Sequence, residues 1–409
     1  MERQMTRGVA LWMLLLGTAM AACGQAAGHP DFEIVESIPI ETVLDNPDVR
    51  NTQEVWLEMI NGARSSLDIE EFYISNKQGE PLDDIIHALS RAADRGVSER
   101  IIVDSRMYKT YPETADLLGK QKNTALRVID FGKLAGGVQH SKYFTVDGRE
   151  VFLGSQNFDW RALKHIHELG VRIRDAEIVR VYGDIFNLDW SLAGPGGTVD
   201  GLLKRVHYQT PFLLIEAAND TIALTPTASP KGLVPDSTLW DETQIVRLIN
   251  RAGSEVMCQF LTYSPVGRNK SYYPELENAL RSAAARGVKV KMIVSDWSKE
   301  HPIEEYLKSL SVVPNIEVKF SVIPEWSGGY IPFARVEHCK YLVIDSSSCW
   351  IGTSNWEKSY FYNTRNVGIV VKNRNITGIL RRIFLKGWDG PYTEKVKPEL
   401  DYQARRHGE

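Results

Sequence analysis

His140-Ser-Lys-Tyr-Phe-Thr-Val-Asp147 and His338-Cys-Lys-Tyr-Leu-Val-Ile-Asp345 are two copies of one phrase in a chain of 409 residues. Each copy is a His-x-Lys pair, a short apolar strand pattern and a closing Asp. Each is followed at the same spacing by a small-residue turn ending in Asn, Gly154-Ser-Gln-Asn157 and Gly352-Thr-Ser-Asn355. One His-x-Lys is noise. Two with matched tails, about half a chain apart, mark a duplicated unit.

Working outward, the surrounding elements repeat in order. Helical periodicity over 56–63 and alternation over 66–74 are followed by a helix over 82–95, then Gly96, then a strand over 100–104. The second half answers with a helix over 243–252, a strand over 255–263, a helix over 273–286, Gly287 and a strand over 289–295. Gly just past a helix supplies the left-handed closing residue at little cost. Strands alternating with helices predict an α/β fold of two pseudo-symmetric halves around one shared site, each half a mixed, mostly parallel sheet flanked by helices. The phrases themselves predict the strands 142–146 and 151–153, then 340–344 and 349–351. Stretches rich in Gly, Pro and Asp at 194–201 and 225–236 predict the divide, with a first half over 32–205 and a second over 206–395.

Composition is that of a globular protein, 43% hydrophobic and 24% charged. A net charge of -4 argues against a basic, duplex-coating protein but leaves room for a local positive funnel. Arg3 and Arg7, the apolar run Val9 to Met20 and Ala21-Ala-Cys-Gly24 predict a signal peptide over 1–22. The run is short of the ~20 apolar residues that span a bilayer comfortably. Cys23 resembles the lipidated cysteine of a bacterial lipobox, with Met20 a poor match; lipidation and plain cleavage both stay open. The expected location is exported, in the periplasm or cell envelope. Cys258, Cys339 and Cys349 show no paired spacing and no zinc-like cluster, and a Cys339–Cys349 disulfide stays open. Sequons at Asn219, Asn269 and Asn375 matter only in a eukaryotic host.

The repeated residues suit phosphodiester chemistry. A phosphodiester repels nucleophiles by its charge, and its leaving alkoxide needs a proton. One neutral His can attack phosphorus while a protonated one donates to the leaving oxygen. Imidazole titrates near pH 6.5, so both forms are accessible. Lys142 and Lys340 can neutralise the non-bridging oxygens, and Asn157 and Asn355 can donate amide hydrogens to them. Two lysinium charges leave no need for a metal, and no carboxylate cluster offers a site for one. Residues i and i+2 of a strand share a side, so His140 and Lys142 face one site together, as do His338 and Lys340; Ser141 and Cys339 point away. For Asp147 and Asp345, turn hydrogen bonds and substrate contact are both open. Glu168 follows Asn157 by the interval that separates Asn366 from Asn355, so the two histidines are unequally supported. His165 and His167 read as surface or supporting residues. Phe158, Trp160, Trp356, Tyr360, Phe361 and Tyr362 read as core, or as rings bordering the pocket.

These motifs resemble the phospholipase D superfamily, named for its paired His-Lys-Asp motif, across nearly the whole mature chain. Gly154-Ser-Gln-Asn-Phe-Asp-Trp-Arg161 with His167-Glu-Leu-Gly-Val171, and Ile351-Gly-Thr-Ser-Asn-Trp356 with Tyr360-Phe361, are similar to the branch of animal lysosomal phospholipase-D-like proteins and poxvirus envelope relatives. The resemblance implies a monomeric pseudo-dimer with one active site at the seam; no cofactor is expected. It implies His140 as nucleophile with Glu168 behind it, and His338 as acid and base; the reverse fits the sequence almost as well. Asn366, where many members carry an acid, leaves the support of His338 open. For substrate, the lean is toward phospholipid, handled by a peripheral or lipid-anchored protein. A 5′ exonuclease on single-stranded nucleic acid is the alternative, and a non-catalytic envelope scaffold the third, disfavoured by the intact motifs.

Overall fold

The computed structural model describes residues 30–215, 220–267 and 270–408. The signal peptide, Cys23 and the sequons at Asn219 and Asn269 lie outside the described residues. Residues Asp31–Glu409 form one compact unit. Among the described residues no helix is long and apolar enough to cross a membrane.

The two phrases lie in two separate sheets, of eight and nine strands. In the first, Ser66–Glu71, Ser98–Asp104 and Thr124–Ile129 run parallel. The motif strand Tyr143–Val146 joins them antiparallel, followed by Glu150–Gly154, Glu168–Arg174 and Phe32–Ser37. The second sheet repeats this with Glu255–Phe260, Lys289–Ser295 and Ile316–Ser321 parallel, then Tyr341–Ile344, Ser348–Gly352, Asn366–Lys372 and Thr221–Ser229 antiparallel. The sheets are mixed, as the sequence predicts, but their parallel share is smaller than helix–strand alternation suggests. Hairpins need no crossover helix, and each motif is built of hairpins. The segment from Thr225, expected within the divide, begins as strand despite Pro226. Its outer neighbour Phe212–Ile215 covers only Thr221 to Leu224, so Pro226 sits where the strand is an edge and its missing N–H costs little.

Strand alternation sorts the motif residues into layers. Tyr143, Val151, Leu153, Tyr341, Cys349 and Ile351 pack in one central core shared by both sheets, together with helices Ala176–Leu192 and Arg374–Trp388. Their neighbours Phe144 and Phe152 face an outer core under helices Thr52–Gly62 and Pro81–Asp94. Leu342 and Trp350 face the matching core of the second half under Asp241–Arg251 and Glu275–Ala285. The halves are thus welded by their inner faces.

Where the seam meets the motifs, backbone pairs with backbone. His140 donates its N–H to the Arg365 carbonyl at 2.9 Å, and Arg365 returns one to Val138 at 2.9 Å. The symmetry-related bonds run from His167 N to Val336 O at 3.1 Å and from His338 N to His167 O at 2.9 Å. Buried ion pairs lock both crossings. Arg365 grips Asp189 through Nε and Nη2 at 2.5 and 2.7 Å. His167 Nδ1 donates to Glu337 Oε2 at 2.6 Å. Cys339 adds a thiol to that second cluster, one donor atom from each of the three lying within 4.8 Å. The Nδ1–Oε2 separation is nevertheless that of a hydrogen bond, since two ligands on one tetrahedral zinc stand about 3.3 Å apart.

Burial pulls the His167 imidazole down, but the Glu337 carboxylate more than offsets it and holds the imidazole above its ordinary value. Burial likewise pushes the Glu337 carboxyl up, and His167 reverses that and holds it below its ordinary value. A lowered carboxyl contributes stability above its unfolded value and loses it as pH falls through the folded one. A raised imidazole contributes below its unfolded value and loses it as pH rises through the folded one. From the ordinary values of 4.5 and 6.5, the pair is fully formed between about pH 4.5 and 6.5. Glu337→Gln leaves a buried imidazole unpaired and should cost ~3–5 kcal/mol. Thermal unfolding from pH 4 to 8 checks this: the gap between wild type and variant should be widest inside that window, and a pH-independent gap would refute the ion pair.

Candidate active site

The parallel strands of the two halves end at Glu71, Asp104 and Ile129, and at Phe260, Ser295 and Ser321. The motif strands begin at that same end, because Tyr143 pairs with Glu70 and Tyr341 with Gln259. The extended residues just before them carry His140, Lys142, His338 and Lys340 to the end of both sheets, against the seam. All four are buried, the histidines 5% and 8% exposed and the lysines fully enclosed. Lys142 and Lys340 each donate Nζ to the carbonyl of the histidine two residues earlier, at 2.6 and 2.5 Å. Ser141 and Cys339 turn to the other side. The Cys339 thiol contacts His167 O at 3.5 Å and burial pushes its pKa up. Cys258, Cys339 and Cys349 are all free thiols, so the open disulfide is not formed.

The support behind the histidines differs from the expected pairing. Glu168 lies behind His338, not His140: His338 Nδ1 donates to its carboxylate at 2.8–2.9 Å. His140 Nδ1 instead donates to Asn366 Oδ1 at 3.0 Å. The cause is the seam pairing, which sets residues 138–140 beside 364–366 and residues 336–338 beside 166–168. Each histidine is therefore held by the other half. The Asn366 amide is oriented, since its Nδ2 donates to the carbonyls of Tyr360 and Thr364 and its Oδ1 also accepts from Thr353 Oγ1 at 3.0 Å. Both imidazoles thus carry hydrogen on Nδ1 and present Nε2 to the site.

Charge in the site is dominated by the lysines. Burial, then Lys142 and Lys340, pulls His140 well below the ordinary imidazole value; His338 falls for the same reasons. Burial pushes Glu168 up against the pull of Lys340. Burial and the charge of Lys340 depress Lys142, offset by Glu71, Glu168 and Asp104, while burial brings Lys340 to about 8. Two buried cations resisting protonation favour an anion between them. Asn157 and Asn355 are buried, and neither Oδ1 has a hydrogen-bond partner among the described residues. Asn355 Nδ2 donates to the Tyr360 hydroxyl at 3.0 Å. Phe72 and Tyr360 wall His140, their ring centroids 4.9 and 5.0 Å from it. Phe158, Trp356 and Phe361 are fully buried core.

Asp147 and Asp345 sit at the far end of the motif strands, in left-handed turn positions with φ of 54° and 51°. Asp147 accepts from the backbone of Arg64, Ser65 and Ser66 and from Ser65 Oγ. Asp345 accepts from Gly253, Ser254 and Glu255 in the same way. They clamp the loop ahead of the first parallel strand in each half. His165 and His167 are buried, not surface residues; His165 lies between the rings of Trp160 and Trp326.

Three contributors escaped sequence reasoning. Glu71 faces Lys142, and Phe72 lies under its ammonium at 5.0 Å. The adjacent Glu70-Glu71 pair closing an apolar strand was the available signal. Gly137 lets the halves meet: a Cβ there would fall 2.2 Å from Asn363 O. The Gly136-Gly137 doublet before the first motif marks it.

Comparison with known proteins follows the same lines. The family described as cardiolipin synthase, PLD-like domain, matches residues 56–190 and 245–388, and the chain belongs to it. Cattle "5′-3′ exonuclease PLD3" is 33% identical, with 90% of this chain and 81% of that protein aligned. "Phospholipase D Z" of Dictyostelium discoideum is 32% identical, over 89% of this chain and 90% of the other. The crystal structure of phosphatidylserine synthase from Haemophilus influenzae Rd KW20 shares the fold with a TM-score of 0.60 at 12% identity, covering 86% of this chain and 85% of that one.

Because the Asp147 carboxylate touches loop amides rather than either histidine, Asp147→Ala should lower unfolding free energy by about 1–2 kcal/mol, the scale of a lost cap. Turnover per folded molecule should stay within about twofold of wild type. Denaturant unfolding alongside active-site-normalised kinetics separates the two; a large loss of turnover in fully folded protein would put Asp147 in the chemistry.

Proposed function

We propose that the chain is a phosphodiester hydrolase working through a phosphohistidine on His140, with His338 as acid and then base. The observation that carries the assignment is the unequal support of the two rings. A neutral amide oxygen behind His140 fixes the tautomer whose Nε2 lone pair is free and, carrying no net charge, favours the cation less than burial and the two lysines disfavour it. A carboxylate behind His338 stabilises its imidazolium. Nε2 of His140 forms a bond to phosphorus as the bond to the leaving oxygen breaks, and that oxygen takes the proton from Nε2 of His338. His338 then removes a proton from water, whose oxygen attacks phosphorus and breaks the phosphorus–nitrogen bond. Lys142, Lys340 and the two asparagine amides hold the non-bridging oxygens, where charge builds. The two halves supply one complete site, so a single chain suffices as a monomeric pseudo-dimer.

Two classes of diester suit this chemistry. Phospholipid suits an exported protein at a membrane surface. A single strand entering by its 5′ end suits nearly closed histidines, because a flexible chain end can reach into a pocket while a lipid phosphate is held at the bilayer plane. The enclosure favours the strand, and the name of the cattle relative agrees in kind. Side-by-side turnover of phosphatidylcholine vesicles and a 5′-hydroxyl oligothymidylate tests it: choline release without nucleotide release would reverse the choice.

The histidine roles are tested with a p-nitrophenyl diester, whose leaving group needs no acid. In EDTA-containing buffer His338→Ala should give a burst of nitrophenol and a phosphorylated His140 by mass spectrometry, while His140→Ala should give neither. A burst from His140→Ala with label on His338 would exchange the roles. The pH dependence gives a separate check. Both imidazoles lie below their ordinary 6.5, and His338 must carry its acid proton. The kcat/KM bell is expected on the acid side of pH 6.5, falling as pH rises. A bell centred above pH 7 would contradict this electrostatic arrangement.

A further inference from the structure

The segment just before the second motif carries a buried cation that the mechanism leaves unused. Arg335 is 3% exposed, and no carboxylate among the described residues lies within ion-pair distance of its guanidinium. Its Nε and Nη1 donate to the carbonyls of Pro324 and Ile40 at 2.7 Å each, and Nη2 has no partner. The nearby Glu41 carboxylate is taken by the N–H and hydroxyl of Ser327. An enclosed guanidinium with an unpartnered N–H group, offset only by a Glu41 carboxylate that does not touch it, is costly unless an anion visits it. The backbone is strained at the same place: Phe333 and Arg335 have φ of 59° and 56°, which side chains rarely adopt outside sites that use the geometry.

Arg335 lines a cavity of about 350 Å³ that it shares with Trp297, Tyr330, Arg405, Arg406 and His407, with Glu325 the sole acid on the wall. In a chain of net charge -4 this is a concentration of positive charge. Arg405 is neutralised by the buried Asp296 at 2.6 Å. Arg406 has no acidic partner among the described residues; it bonds the Gly408 carbonyl and lies over the Tyr330 ring at 5.1 Å. His407 stacks on Trp297 with centroids 4.4 Å apart and stands 4.0 Å from Glu300. Trp297 follows the strand Lys289–Ser295, and Glu325 follows Ile316–Ser321, so the cavity opens on the sheet end that carries His338. Arg335 is three residues from His338, a span of at most ~11 Å of chain.

We propose that this cavity is a second phosphate subsite, holding the next internucleotide phosphate of a single strand whose terminal diester lies between the two histidines. The assignment rests on the phosphodiesterase reading above and deepens it. Arg406 and His407 reach the phosphate from the rim, and Arg335 supplies charge from beneath. Trp297 and Tyr330 offer rings against which a base can lie. A strand has a second phosphate one residue away from the scissile one; phosphatidylcholine has only one. That difference favours nucleic acid as the occupant.

The test compares thymidine 3′-(p-nitrophenyl phosphate), with one phosphate, and 5′-hydroxyl pentathymidylate, with several. The quantity read is the ratio of kcat/KM for the long substrate to that for the short one. In Arg406→Gln, an exposed position that should fold normally, and in Arg335→Gln, the ratio should fall about tenfold, the scale of one charge-assisted hydrogen bond. Raising salt should shrink the wild-type ratio and leave that of Arg406→Gln nearly flat. A ratio within twofold of wild type in Arg406→Gln would overturn the subsite and leave the hydrolase standing. Failure of the wild type on both substrates would overturn the hydrolase, and the subsite with it. If Arg406→Gln instead loses turnover only on phosphatidylglycerol vesicles, the cavity takes a lipid headgroup and the nucleic-acid assignment fails.

Discussion

Five backbone hydrogen bonds across the seam set the frame of the site. They align residues 138–140 with 364–366 and 336–338 with 166–168, which makes each half the scaffold for the other half's histidine. Elsewhere the halves meet through side chains in the shared core and through contacts such as Arg335 to the Ile40 carbonyl and Ser327 to Glu41. At the crossings the register is fixed, because slipping by one residue would turn every side chain to the opposite face. The buried pairs Arg365–Asp189 and His167–Glu337 add ionic specificity to that register, and Gly137 removes the one side chain that would hold the backbones apart.

The same crowding makes the site electrically unfinished. Two lysines, two histidines and the carboxylates of Glu71, Glu168 and Asp104 are buried close together, so each group is displaced from its ordinary titration. An anionic diester relieves the repulsion between the lysines, and that relief is greatest where charge accumulates on the phosphoryl oxygens. Binding and rate acceleration then draw on one source, a preorganised field that water would otherwise screen.

Much of this was legible in the sequence. The duplicated phrases located His140, Lys142, His338 and Lys340, and the two-residue strand period correctly turned Ser141 and Cys339 away. The helices ending at Gly96 and Gly287 fell where periodicity put them. What could not be read was which half serves which histidine. Glu168 is near His140 in sequence yet bonds His338, because crossing of the halves is a tertiary fact with no local signature. The Pro226 strand was misread for a related reason: only knowing that Phe212–Ile215 stops short shows that the proline faces an open edge. Sequence also hid a set of acid–amide exchanges. Tyr143 donates to Glu70 and Tyr341 to Gln259, while Gln139 stands where the other half has Glu337. Each exchange keeps a hydrogen bond and moves a charge.

Those exchanges bear on why one chain holds both halves. In a dimer of identical subunits with this geometry, the residue behind one histidine is necessarily the residue behind the other. Any change that suits a nucleophile is imposed equally on the acid. Joining the copies end to end frees each position to mutate alone, and Glu168 opposite Asn366 is such a broken symmetry. The fused chain can give its two imidazoles different temperaments, a division of labour that an unfused pair could reach only by distorting its own two-fold axis.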